Sequence, residues 1–490
     1  MPTSDVVVPI RSGQLRGART AHGLVFKGVP YAAPPVGANR FRPPEPVQPW
    51  TGIRDAVEYG PTAPKAPYPA PVDQLIDEVD IPGDDYLNVN IWTPDTAGAL
   101  PVMVFIHGGG FGNGSNSISG YNGEAFARDG VVMVNLNHRL GAEGFLYLGQ
   151  GDHPNLGLQD QVAALRWVQD NISAFGGDPG NVTVFGQSAG AMSIGVLLGM
   201  PSARGLFRRA ILQSGASHMW LRPDSTRMVA AQLAKILEVD ATLDAIAQVP
   251  RDKLVLAQQQ LRATLSAQPD PAVWGDAALN GLPFEPVVDG TVVPGPPLDN
   301  LDPDVDLMLG TTTEEFRLYV VPNGLIGHID ENILNALVGR YGADTEKLIA
   351  IYRANRPNAT PGDLYSAIQT DWVFRIPALR IAERTAPTWL YEFSWQPPTF
   401  DGRLGACHAA ELPFVFDTLA DKGLANLLGE DLPQELADVM HGAWVSFATT
   451  GNPGWPTYDS PTRATMRFDL SAELVEDPRP DEREIWVGVR

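Results

Sequence analysis

The 490-residue chain has one cysteine, Cys407, so no disulfide can form within it. Basic residues are also scarce. Lys and Arg number 35 against 57 Asp and Glu, a formal charge of −22. Nucleic acid and anionic membranes attract basic patches, so this balance excludes both as expected partners and reads as a solvated acidic surface. No apolar run approaches the length of a membrane span, and Met1–Arg11 has no basic stretch followed by an apolar one. Together with the lone thiol, these absences make a cytoplasmic protein the expectation. There is no internal repeat, low-complexity tract or Ser/Gly-rich linker. No His/Cys set has zinc-ligand spacing, so no metal or organic cofactor is expected.

What is present is a composition with a sizeable core, 44% hydrophobic and 19% charged. Strand-like and helix-like segments alternate along the whole length. That pattern implies one large α/β unit over residues 1–490, with a mixed, mostly parallel central sheet flanked by helices.

In "NVTVFGQSAGAMS", Asn181–Ser193, a strand-like run ends at a glycine and small residues suited to a helix follow. A serine held between Gly186 and Gly190 at that junction fits a tight turn with no room for side chains beside it. It places Ser188 at a helix N-terminus, near free N–H groups and the positive dipole end. This is the pattern of a nucleophile elbow. A serine hydroxyl is a weak nucleophile, so the reading also requires an oxyanion hole, a base and an acid. "PVMVFIHGGGFGNGS" supplies a strand followed by Gly108–Gly110, whose N–H groups can approach an oxyanion closely. The N–H of Ala189 is the other expected donor.

Chain order in such a fold runs serine, acid, histidine, which leaves His328, His408 and His441. His441 lies in a helical pattern. His328 has no strand just before it. His408 follows the strand-like Thr388–Trp395 and is the expected base. Cys407 beside it is not the nucleophile, because sequence neighbours seldom aim at one another. The acid belongs after the strand-like Val305–Leu309, at Glu314 or Glu315.

These segments resemble the type-B carboxylesterase family, which includes bacterial para-nitrobenzyl esterases and animal cholinesterases. "FGGDPGNVTVFGQSAG", "DDYLNVNIWTP", "FKGVPYAAPPVGANRF", "NHRLGAEGF", "ILQSGA" and "GACHAAELPFVF" all match in order, over nearly the whole chain. The likeness extends to soluble actinobacterial esterases of that group. It implies an α/β-hydrolase fold, Ser188 as nucleophile, His408 as base, Glu315 as acid, and Gly109, Gly110 and Ala189 as oxyanion donors. Glu314 would then be a solvated neighbour, and Ser214 a residue near the triad. Four positions depart from the pattern. Phe316 replaces a glycine after the acid, Tyr86 replaces a frequent cysteine, Gln187 replaces a common glutamate, and Ala409 replaces a frequent glycine after the base.

The resemblance implies hydrolysis of carboxylic esters by two-step acyl transfer through a Ser-His-Glu triad, with a small-molecule ester and water as partners and the chain as a monomer. Insertions at roughly 216–282 and 318–387 would build the pocket, with Phe111, Trp220, Phe316 and Phe374 as candidate wall residues. Such a wall suits short acyl chains and aryl or benzyl alcohols, aromatic diesters among them. The alternatives are an amidase or carbamate hydrolase on the same triad, a lipase, and a non-catalytic scaffold. The retained triad and single cysteine speak against the last.

Overall fold

Val102–Ile106 is apolar at every position, the mark of a strand covered on both faces. Its side chains alternate in fact: Val102, Val104 and Ile106 enter one buried cluster, and Met103 and Phe105 another. The computed structural model describes residues 6–149 and 151–489, so the first five residues of the Met1–Arg11 segment lie outside it.

The strands are β1 (Val6–Ile10), β2 (Gly13–Thr20), β3 (Gly23–Pro30), β4 (Ile53–Asp55), β5 (Asn88–Thr93), β6 (Leu100–Ile106) and β7 (Val132–Leu136). They continue with β8 (Gly177–Gln187), β9 (Arg209–Gln213), β10 (Asp306–Thr312), β11 (Thr388–Phe393), β12 (Ala464–Phe468) and β13 (Glu473–Glu476). They form one sheet in the order β1-β2-β3-β5-β7-β6-β8-β9-β10-β11-β12-β13, with β4 paired to β2. From β7 to β12 every neighbouring pair is parallel, while the pairs outside that stretch are antiparallel except β2–β4. The mixed, mostly parallel sheet expected from the sequence is therefore present.

Two groups of helices interrupt the strand sequence. Helices Pro223–Leu237 and Arg251–Ala267 lie between β9 and β10. Helices Glu331–Val338, Thr345–Asn355 and Pro361–Thr370 lie between β10 and β11 and share a third buried cluster with Trp486. Among the described residues no helix is long and apolar enough to cross a membrane.

Two buried acids, Glu143 and Asp160, are matched by arginine. Tyr86, at the position where cysteine is frequent in the resembled family, is fully buried and donates its hydroxyl to Glu143 Oε2 at 3.0 Å. Arg40 Nε donates to the other oxygen of Glu143 at 2.7 Å. Arg139 Nε and Nη2 fork onto Asp160 at 2.8 and 2.6 Å, and Nη1 reaches the Arg42 carbonyl at 2.6 Å. Removing one partner of such a pair leaves a buried charge uncompensated. Asp160→Asn should therefore lower unfolding stability by about 3–5 kcal/mol, measured by urea denaturation. A change below about 1 kcal/mol would show the pair to be dispensable.

Candidate active site

β8 ends at Gln187 and a helix, Ala189–Leu197, begins two residues later. Ser188 bridges them at φ 56°, ψ −127°, a region that non-glycine residues rarely occupy. The bridge is held from below: Ser188 N–H donates to the Gln213 carbonyl at 2.9 Å. A Cβ on Gly190 would lie 2.0 Å from the Ile106 carbonyl oxygen, and one on Gly186 would lie 2.8 Å from Gly190. Only glycine fits at either position.

The glycine run leaves β6 beside this turn. A Cβ on Gly108 would come within 3.0 Å of Ser188 Cβ. Gly109 and Gly110 have φ of +119° and +59°, which frees their N–H groups from the strand ladder. The N–H groups of Gly109, Gly110 and Ala189 have no acceptor among the described residues. The loop folds back on itself, with Asn113 N–H donating to the Gly109 carbonyl at 2.9 Å. His107 and His138 stack beneath it, and burial together with their mutual repulsion holds His107 well below the usual imidazole range.

The acid turn follows β10. Glu315 is fully buried, and its Oε1 accepts from Thr312 N–H at 2.8 Å. Its Oε2 lies 2.5 Å from His408 Nδ1, and His408 N–H donates to the Glu315 carbonyl at 3.2 Å. A carboxylate only accepts, so Nδ1 carries the proton and Nε2 presents a lone pair. Gln187 occupies that lone pair: its amide nitrogen lies 3.1 Å from His408 Nε2. Ser188 Oγ makes no hydrogen bond among the described residues.

Glu314 is not the solvated neighbour expected from the sequence. It is half-buried, and its Oε2 accepts from Ala406 N–H at 2.8 Å while its own N–H donates to the Ala406 carbonyl at 3.0 Å. The turn thus fastens the loop carrying His408 two residues before the base. Of the other histidines, His328 is exposed in a 3-10 turn, and His441 is buried with Nδ1 donating to the Val415 carbonyl at 2.8 Å.

The expected wall residues fall in different places. Phe374 lies on a π-helical turn, Asp371–Arg375, and its ring sits 4.9 Å from that of His408. Such turns often occur at functional sites. Phe316 is half-buried and packs against Tyr319 and Tyr365. Trp220 is half-buried where the first insertion leaves the sheet. Phe111 is 1% exposed and lies edge-on to Phe145 in the main core, directly after Gly110. Tyr319, which sequence reasoning missed, lies with its ring tilted 5.7 Å from that of His408; its spacing of four from Glu315 was the available signal. Ser214 is buried, and its N–H donates to the Gly310 carbonyl at 2.8 Å.

Glu411 was also missed, although it stands three residues beyond the base. It is fully buried and accepts from Gln213 Nε2 at 3.2 Å. Burial, then the charge of Glu315, pushes it up to about 7.

A parallel sheet presenting a serine at a strand-to-helix turn, with a histidine–carboxylate pair from later strands, defines an α/β-hydrolase. A family model described as the carboxylesterase family matches residues 4–486. The chain is 37% identical over 505 residues to the para-nitrobenzyl esterase of Bacillus subtilis (strain 168), covering 98% of each. It is 36% identical to phenmedipham hydrolase of Pseudarthrobacter oxydans, over 96% of this chain and 97% of that one. A crystal structure of a Geobacillus stearothermophilus carboxylesterase superposes with a TM-score of 0.85 at 35% identity, covering 98% and 99% of the two chains. The chain belongs to the carboxylesterase family, and its relatives support ester hydrolysis.

Two expectations follow from this geometry. An unfolded glutamate ionises near 4.5, whereas Glu411 keeps its proton to about 7. Between those values the folded state binds more protons, so stability falls as pH rises through that window. Glu411→Gln should flatten that slope in denaturation curves taken at stepped pH, and an unchanged slope would refute the assignment. Glu314→Ala should lower kcat on a neutral ester by ~10²-fold, because the base loop loses its hook. Glu314→Gln keeps an acceptor oxygen and should lose far less.

Proposed function

We propose that the protein is a serine carboxylesterase working through an acyl-enzyme, with Ser188 as nucleophile, His408 as base and Glu315 as acid. The observation that best supports this is the buried 2.5 Å contact between His408 Nδ1 and Glu315, beside a strained serine and three unpaired N–H groups. Glu315 fixes the imidazole tautomer and stabilises its protonated form. Ser188 Oγ attacks the ester carbonyl carbon while His408 Nε2 takes its proton, for which the Gln187 amide must give way. The developing oxyanion sits on the N–H groups of Gly109, Gly110 and Ala189. The intermediate collapses, and the departing alcohol oxygen takes the proton from His408. Water then repeats the sequence on the acyl-enzyme and releases the acid.

The chain acts as one hydrolase unit whose two helical insertions, at roughly 216–282 and 318–387, shape the pocket. It works as a cytoplasmic monomer. Phe374, Phe316 and Trp220 supply an apolar wall suited to short acyl chains and to aryl or benzyl alcohols, aromatic diesters included. Relatives are named for para-nitrobenzyl esters, phenmedipham and fumonisin B1, which are chemically unlike. Substrate choice therefore belongs to the wall rather than to the triad.

Ser188→Ala should cut turnover of para-nitrophenyl acetate by ~10⁴-fold or more with the fold retained. Retention of a tenth of the activity would sink the assignment. Activity should also fall toward acid pH, because a protonated His408 cannot accept the serine proton. His408→Gln should remove most of the rate. Equal loss in folded His328→Gln would contradict the choice of base.

A further inference from the structure

The oxyanion loop is tied down by Asn113, three residues past Gly110. Asn113 Nδ2 donates to the Ala66 carbonyl at 2.7 Å and to Glu78 Oε2 at 3.0 Å. On its other side, Asn113 Oδ1 accepts from Arg262 Nη1 at 3.1 Å. Arg262 comes from helix Arg251–Ala267 of the first insertion and is half-buried.

That single bond uses one of the five donors of a guanidinium. Among the described residues no carboxylate lies within ion-pair distance of Arg262. Glu78, the acid bonded to the same asparagine, has its own cation, with Lys65 Nζ 3.6 Å from its Oε1. In a chain with 57 acidic and 35 basic residues, a half-buried arginine without an acid is conspicuous.

Its bond to Asn113, whose N–H donates to the Gly109 carbonyl, sets it beside the glycine loop. The guanidinium is close enough to Tyr319 and Tyr68 to favour their ionised forms against the burial that raises both. The Tyr319 ring lies tilted 5.7 Å from that of His408, yet Tyr319 is 37% exposed while His408 is 4% exposed. An exposed ring over a buried base marks the open side of the site. Arg262 therefore stands beside the oxyanion loop, one hydrogen bond from Asn113, with donors to spare.

A planar guanidinium binds a carboxylate through two parallel charge-assisted bonds, far better than it binds a neutral carbonyl. We propose that Arg262 recognises a free carboxylate on the substrate, so that the preferred esters are half-esters of dicarboxylic acids, with one carboxyl esterified and the other ionised. This rests on the esterase reading above. Such compounds are what a first hydrolysis of a diester releases. The reaction that supplies this enzyme would then be a diester hydrolysis, and the products would be a dicarboxylic acid and an alcohol.

The test compares matched substrates: mono-para-nitrophenyl adipate and pimelate against para-nitrophenyl hexanoate and heptanoate, and monoethyl terephthalate against ethyl para-toluate. The quantity read is the ratio of kcat/KM, anionic over neutral, in wild type divided by the same ratio in Arg262→Gln. The proposal expects that quotient to be about 10–100 for at least one pair, carried mainly by KM, with Arg262→Lys restoring part of it. A quotient near one for every pair overturns it, including the case in which both substrates slow equally because Arg262 only holds Asn113. No wild-type hydrolysis of any of these esters, anionic or neutral, would instead overturn the esterase reading.

Discussion

The contact on which the site depends is the approach of the Gly190 backbone to the Ile106 carbonyl, at a distance that leaves no space for a side chain. It brings the end of β6 against the start of the helix after β8. The glycine loop leaves β6 at that point, and the serine enters its helix at the same point. One close approach therefore sets Ser188 and the expected oxyanion donors relative to each other. A backbone like that of Ser188 costs on the order of 1–3 kcal/mol. It persists because the strand segments beneath it, Val102–Ile106 and Val182–Gln187, are buried and cannot relax without opening the core.

Charge around the base is rationed just as closely. Glu315 touches the imidazole, and Glu411 lies near enough to feel its charge and remains protonated to about 7. At position 187, where a third carboxyl is common in the resembled family, this chain has an amide that donates to the base instead. A third buried negative charge would compete with Glu315 for one imidazole, whereas a neutral amide gives the lone pair a partner without adding charge. The same economy appears at Asp160 and Glu143, each surrounded by arginine or tyrosine donors.

Much of this was legible in the sequence because the motifs are local. Gly-x-Ser-x-Gly between a strand and a helix, a glycine run after a strand, and the order serine, acid, histidine all lie along the chain. The parallel sheet was legible too, since strands buried on both faces lose their polar alternation. What stayed hidden lies in contacts between distant segments. Gln187 and His408 are 221 positions apart, and Glu314 and Ala406 are 92 apart. No periodicity links such pairs. Phe111 and Phe374 are equally apolar in sequence and both are buried, yet Phe111 packs edge-on to Phe145 while a π turn lays Phe374 4.9 Å from the His408 ring.

Cys407 sits next to the base with no exposed surface, and its burial, then the charge of Glu315, holds the thiol far above its ordinary range. Its thiolate, the form that reacts, is therefore scarce at any working pH. Maleimides and iodoacetamides would pass it by, and air oxidation would not join two chains through it. For anyone wishing to attach a fluorophore or tether the enzyme to a bead, the native chain is chemically silent toward sulfur reagents. A cysteine introduced on the surface would then be the single point of attachment.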